Sequence, residues 1–287
     1  MTVRHSPTVR RRRLAAELRR LREGKGFTIQ QVAERIDCTG SKISRIETAR
    51  VTVHPRDVRD LLNVYGVIGQ RREALVTLAR QARQKGWWRS YSDVVPSWFE
   101  SFVGLESEAS SMRTYETQFA PGLLQTEEYM RCVIRAMRTS AGPNEIERVV
   151  ALRLARQELL TRDIPVQYWA VLDEAVLRRL VGGRGVMRLQ LDRLVDAGGL
   201  PNVELQVLPF EAGAHAGMNG AFVLFGFPER DDPDVVFLEN ETSGLYMEEP
   251  KDVDRYTLVF DHLRAMALSP DESVALIRAV AKECGNR

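Results

Sequence analysis

Between Thr28 and Glu47 the chain reads TIQQVAERIDCTGSKISRIE, and its second half places Ser41, Lys42, Ser44 and Arg45 on one side of a short helix, with Ile43 and Ile46 on the other. The chemistry open to such a polar, basic face is recognition. A guanidinium or ammonium pairs with the acceptor edge of guanine, a serine hydroxyl meets base edges more loosely, and the major groove of a duplex admits a helix of this width. The apolar stripe behind it has to be seated on a second helix for the face to be held at a fixed angle.

The elements that position this face are legible from caps and periodicity. Thr28 opens a helix and Gln31, three residues on, completes a capping box, after which Val32, Ala33 and Ile36 share one side. Asp37 and Cys38 form a turn, and Thr39 caps the helix that carries the polar face. Ala33 is small where the two helices cross. Leu14, Leu18 and Leu21 predict a preceding helix over Arg10 to Glu23, ended by Gly24 and Gly26, with Phe27 plugging the core below. His54 and Pro55 open a fourth helix bearing Val58, Leu61, Leu62 and Tyr65, and residues 69–84 form a fifth with Leu75 and Leu78 inside. His54 beside a proline reads as a helix-start residue rather than a catalyst.

Small Ala33, buried Ile43 and the run Ser44, Arg45, Ile46, Glu47 resemble the lambda-repressor-like, or Xre, helix-turn-helix regulators. The resemblance implies double-stranded DNA as a partner, with Ser41 and Arg45 at base edges and Lys42 and Ser44 close to bases or phosphates. Gln31, Thr39 and Gly40 complete the implied DNA-facing set. The sequence departs from the pattern twice. Ile29 stands where many members carry a phosphate-contacting Gln, and Asp37 stands where Gly usually makes a left-handed turn, a conformation Asp tolerates. The resemblance also implies a homodimer on an inverted-repeat operator, with two recognition helices about 34 Å apart.

Charge is divided along the chain. Residues 1–84 carry 19 Lys+Arg against 8 Asp+Glu, whereas residues 85–287 carry 22 against 31. A basic segment joined to an acidic one is a mark of nucleic-acid contact, because neutralised phosphates release counterions. Within the basic part, Arg10, Arg11, Arg12 and Arg13 form a run that reads either as an arm touching backbone or minor groove or as a solvated charge run.

With 287 residues there is room for a second core. Lys85 to Glu100, KGWWRSYSDVVPSWFE, is an aromatic linker expected to pack onto the second domain or across a dimer, a stacking platform for nucleic acid being the weaker reading. This sets boundaries at 1–84, 85–100 and 101–287. The remainder reads as mixed α/β, so that the fold class is α+β: five helices, then a small helix-covered sheet. Helices are expected over Gly104 to Tyr115, Thr126 to Arg138, Pro143 to Thr161, Glu174 to Leu180, Val186 to Ala197, Asp252 to Ala267 and Pro270 to Ala281. Strands are expected over Val166 to Leu172, Val203 to Leu208, Ala221 to Phe227 and Val235 to Glu239, with Glu229, Arg230, Asp231 and Asp232 as a solvated turn.

GWWRSYSDVVPSWFESFVGLE, YETQFAPGLLQTEEYMR, LPNVELQVLPFEAGAH and DRYTLVFDHLRAMALSPDESVALI resemble the uncharacterised C-terminal domain attached to many actinobacterial Xre regulators. Members are often antitoxin-like and encoded beside a small protein. The resemblance therefore implies a protein partner for this domain, and the chain reads either as a regulator whose second domain takes that small adjacent-gene protein or, given a core larger than DNA reading requires, a small-molecule effector, or as an antitoxin-like protein that neutralises that partner and autoregulates its operon.

Catalysis is the weakest reading. His215 lies in the loop EAGAHAGMNG, with Glu239, Glu241, Glu248 and Glu249 downstream, but no nucleophile motif accompanies it. The loop reads as a lid, a partner contact or a plain turn, and the acidic run as a solvated face. Cys38, Cys132 and Cys284 are isolated and the four histidines are scattered, so neither a metal nor a cofactor is expected. The polar, Arg-rich start and the lack of a long apolar run lead to the expectation of a cytoplasmic protein, associated with the nucleoid when bound to DNA and not with a membrane.

Overall fold

The computed structural model describes residues 7–83, 86–228 and 232–285, so Glu229, Arg230 and Asp231 of the expected turn lie outside the described residues. The chain divides into two compact units, one over Met1–Arg89 and one over Ser90–Pro228 and Pro233–Arg287.

The first unit is all helical: α1 (Pro7–Gly24), α2 (Ile29–Arg35), α3 (Gly40–Glu47), α4 (Pro55–Val64) and α5 (Gly69–Gln81). Each of the three middle helices starts on a side chain that takes up an orphan backbone N–H. Thr28 and Gln31 form the reciprocal capping box, Thr39 accepts from the Lys42 amide, and the His54 ring accepts from the Arg56 amide ahead of Pro55. Leu14, Leu18, Val32, Ala33, Ile43, Ile46, Val58, Leu61, Leu62, Tyr65, Leu75 and Val76 make the core, with Leu21, Phe27, Ile36 and Leu78 packed at its margin.

The second unit is built on a six-stranded mixed sheet ordered β3-β2-β1-β4-β5-β6, with β1 (Ser111–Glu116), β2 (Gln167–Asp173), β3 (Val203–Leu208), β4 (Phe222–Gly226), β5 (Val235–Glu239) and β6 (Gly244–Met247). The first three strands are parallel and the last three alternate. Parallel pairing demands crossovers. Helices α7 (Glu127–Met137) and α8 (Pro143–Gln157) supply the one between β1 and β2, and α9 (Glu174–Arg178) and α10 (Arg184–Ala197) the one between β2 and β3. On one face Tyr115, Val171, Phe222, Leu224 and Val236 pack against Phe260 and Leu263 of α11 (Pro250–Met266). On the other, Phe102 of α6 (Ser97–Glu108) lies against Phe225 and Phe237 and stacks on Phe99. The free edge of β3 is closed by the start of α12 (Pro270–Gly285), where the Val207 amide donates to Ser273 Oγ and the Leu268 amide to the Val207 carbonyl.

Two expectations are corrected. The helix expected over Gly104 to Tyr115 ends at Glu108, and Ser111–Glu116 is instead strand β1. Its side chains alternate between the two buried faces of the sheet, and its backbone is paired on both sides, which outweighs the helical spacing carried over from α6. The short strand β6 adds an edge where only an acidic surface was expected. Asn240 makes the turn that delivers it, its Oδ1 accepting from the Thr242 and Ser243 amides and the Ser243 hydroxyl.

The segment PGLLQTEEY has a structural meaning. Its loop lies buried after β1, and side chains from α8 and α10 satisfy its backbone: Gln157 donates to the Gly122 and Gln125 carbonyls, and Gln190 donates to Leu124 and accepts from Thr126, while the segment's own Tyr129 accepts from the Ala120 amide just before it. Beside it, Glu106 and Arg156 form a buried bidentate pair at 2.6 and 2.8 Å. Glu116, at the end of β1, has no such partner among the described residues. Burial, reinforced by the charge of Glu239, pushes its carboxyl up to about 8 from 4.5. The folded state therefore holds a proton that the unfolded chain gives up near pH 4.5, and stability declines as pH rises from there to about 8. Urea unfolding between pH 5 and 9 should show this decline, and Glu116→Gln should flatten it.

Candidate nucleic-acid interface

Helix α3 is fixed from behind. Ile43 and Ile46 are 0% and 2% exposed, and Ala33, fully buried, lets α2 cross closely. The chain reaches α3 through a tight turn in which Asp37 takes the left-handed conformation at φ 53°, as its replacement of glycine requires. Gly40 begins the helix in a tight setting, since a Cβ there would lie 3.0 Å from Gln30 Oε1, the far end of a side chain that would have to shift.

At the other end of α3, Glu47 is held by Arg22 of α1. The guanidinium donates from Nε to Oε1 at 2.8 Å and from Nη2 to Oε2 at 2.9 Å, while Nη1 donates to the Phe27 carbonyl at 2.8 Å. The side chains are 11% and 4% exposed, so the bonds act in a low-dielectric setting and fix both the position and the rotation of α3. Sequence reasoning missed this pair. Twenty-five residues separate its members, and each looks like an ordinary surface charge.

The outward face follows from that seating. Ser41 and Arg45 are exposed, and Lys42 and Ser44 half-exposed. Arg45 Nε donates to the Ser41 carbonyl within the helix at 3.3 Å, and among the described residues no carboxylate lies within ion-pair distance of its guanidinium. Lys42 differs, its ammonium lying 3.0 Å from Asp57 of α4. Thr39 and Gly40 lie at the start of α3. Gln31 is occupied by the cap, its Oε1 accepting from the Thr28 amide at 3.0 Å. Its neighbour Gln30, exposed and beside Gly40, was not singled out by sequence. The signal that would have found it is adjacency to Ile29, at the position where the resemblance leads one to expect Gln.

Arg10, Arg11, Arg12 and Arg13 are brought into the body of α1 and not into an extended arm. Arg12 is buried, and the other three are half-buried.

The other candidate groups do not converge. His215 turns into its own loop, with Nδ1 accepting from the Gly217 amide at 3.2 Å and its ring set edge-on to Tyr115. Glu239 ends β5, Glu249 precedes α11, and Glu241 lies in the turn between β5 and β6. Among the described residues no group of three or more His, Cys, Asp or Glu side chains is placed to hold a metal ion, and no helix is long and apolar enough to cross a membrane. Cys38, Cys132 and Cys284 are free thiols.

Comparison with known proteins agrees with this geometry. Residues 13–75, spanning α1 to the middle of α5, match the helix-turn-helix domain family, a DNA-binding class. Residues 99–279 match the domain of unknown function DUF5753, and because that match covers more than half of the chain, the protein belongs to that family. No curated protein and no solved structure matches it.

Glu47→Ala would leave the Arg22 guanidinium buried without its carboxylate and should cost the first unit about 3 kcal/mol in urea unfolding. Ala49, just past α3, is also left-handed at φ 53°, and Ala49→Gly should raise stability by about 1 kcal/mol.

Proposed function

We propose that this protein is a sequence-specific, DNA-binding transcriptional regulator. The observation that carries the reading is α3, seated by Ile43, Ile46 and the Arg22–Glu47 pair, with Ser41, Ser44 and Arg45 turned outward. In this reading α3 enters the major groove, Arg45 grips the N7 and O6 edge of guanine and Ser41 meets the neighbouring base. Ser44, Lys42 and the start of α3 at Thr39 and Gly40 lie along the groove wall. Gln30 takes the phosphate contact that Ile29 cannot make, and Gln31 fixes the start of α2. The α1 arginines raise the local positive potential through their half-exposed members.

We assign reading to residues 1–84, a joint to 85–100 and signal reception to 101–287. The protein binds as a homodimer, so that two copies of α3 reach successive major grooves of an inverted-repeat operator about 34 Å apart. The second domain takes a small partner protein or a small-molecule effector that has different affinity for the DNA-competent and DNA-incompetent arrangements, the only way such a ligand shifts binding. Support for a receiving domain lies in its size and in the buried polar network around PGLLQTEEY, more structure than DNA reading requires.

Genome-wide DNA capture followed by footprinting should yield an inverted repeat. On that site Arg45→Ala should cost about 1 to 3 kcal/mol and relax preference at one base pair of each half-site. Equal operator binding by wild type and variant would contradict the base-reading role. Growth arrest by the adjacent gene product alone, relieved by this chain, would instead assign its main task to neutralising that partner.

A further inference from the structure

The two cations of α3 are not equivalent. Arg45 has no carboxylate beside it among the described residues, whereas Lys42 Nζ is 3.0 Å from Asp57 Oδ2. Asp57 lies in the first turn of α4, three residues after the His54 cap, at the positive end of the helix dipole. Lys42 is likewise anchored, its amide held by Thr39 Oγ1 at 3.2 Å, so the ammonium reaches Asp57 from a fixed base. The side chains are 39% and 29% exposed, neither buried nor fully solvated. A pair of this kind stabilises its contact by no more than about fivefold, enough to compete with one loosely placed phosphate and too little to resist a well-aligned one. Asp57 without Lys42 would also turn an uncompensated negative charge toward the duplex.

We infer that Asp57 is a specificity-determining residue: by holding Lys42, it withholds one cation from non-specific phosphate contact and so widens the margin between operator and random DNA. This rests on the proposal that α3 reads DNA. Non-specific affinity depends on how many cations reach phosphates, each changing the slope of log K against log salt by about 0.9. A lysine withheld in the wild type contributes nothing to that slope, and releasing it should add one cation.

The test is binding of the full-length protein to a random-sequence duplex by fluorescence anisotropy across a potassium chloride series. The set comprises wild type, Asp57→Asn, Lys42→Gln and the double variant. Asp57→Asn should bind roughly three- to fivefold more tightly at low salt, with a slope steeper by about 0.9. Lys42→Gln alone uncovers the Asp57 carboxylate and should weaken binding, whereas adding it to Asp57→Asn should bring the slope back to the wild-type value. A steeper slope that persists in the double variant would show that Asp57 acts by its own charge and not through Lys42, overturning the inference. So would an Asp57→Asn slope equal to wild type. If the wild type binds no duplex at the lowest salt, the DNA-reading proposal falls, and this inference with it. Helical content checked by circular dichroism separates these outcomes from misfolding, and Asp57→Asn preserves side-chain shape.

Discussion

A carboxylate placed almost wholly out of solvent at the end of α3 is tolerated only if a cation meets it there, and Arg22 does so with hydrogen bonds to both carboxylate oxygens of Glu47 and one to the Phe27 carbonyl. This pair ties α1 to α3 across the core, and the rest of the first unit is consistent with it. Apolar packing against Ala33, Ile43 and Ile46 sets how deeply α3 sits, but packing alone leaves a helix free to slide and roll by small amounts. Directional, charge-assisted bonds remove that freedom. A base-reading helix needs this more than it needs stability, since an error of about 1 Å is enough to lose a bidentate contact.

The second unit solves a different problem. Three parallel strands need buried crossovers, and the loop that begins the first of them runs through the interior with its backbone exposed to unmet hydrogen bonding. Gln125, Gln157, Gln190 and Tyr129 answer that need, and the Glu106–Arg156 pair lies next to them. The segment PGLLQTEEY is thus a device for burying a loop. Nearby Glu116 has no ion-pair partner among the described residues, and its burial raises its proton affinity.

Much of this was legible in the sequence, and what was not has definite causes. The helices of the first unit announced themselves because Thr28, Thr39 and His54 are local caps followed by regular apolar spacing, and the left-handed turn at Asp37 could be foreseen from a residue type that accepts it. Strand β1 was hidden because only two residues, Ala109 and Ser110, separate it from α6, so helical periodicity ran on into SMRTYE. Strand β6 was hidden because four residues on an edge carry no periodic signal. The outward face of α3 was read from spacing alone, but the pairs Arg22–Glu47 and Lys42–Asp57 were not, since only the tertiary fold sets charges so far apart in sequence side by side.

The central claim is that the outward face of α3 is the surface that meets bases. It is tested most directly by nuclear magnetic resonance of the full-length protein, with and without a duplex selected from genomic DNA. Backbone and side-chain shifts should concentrate at Ser41, Ser44 and Arg45, with Ile43 and Ile46 little changed. Shifts absent from α3 and gathered in the second unit would contradict the account.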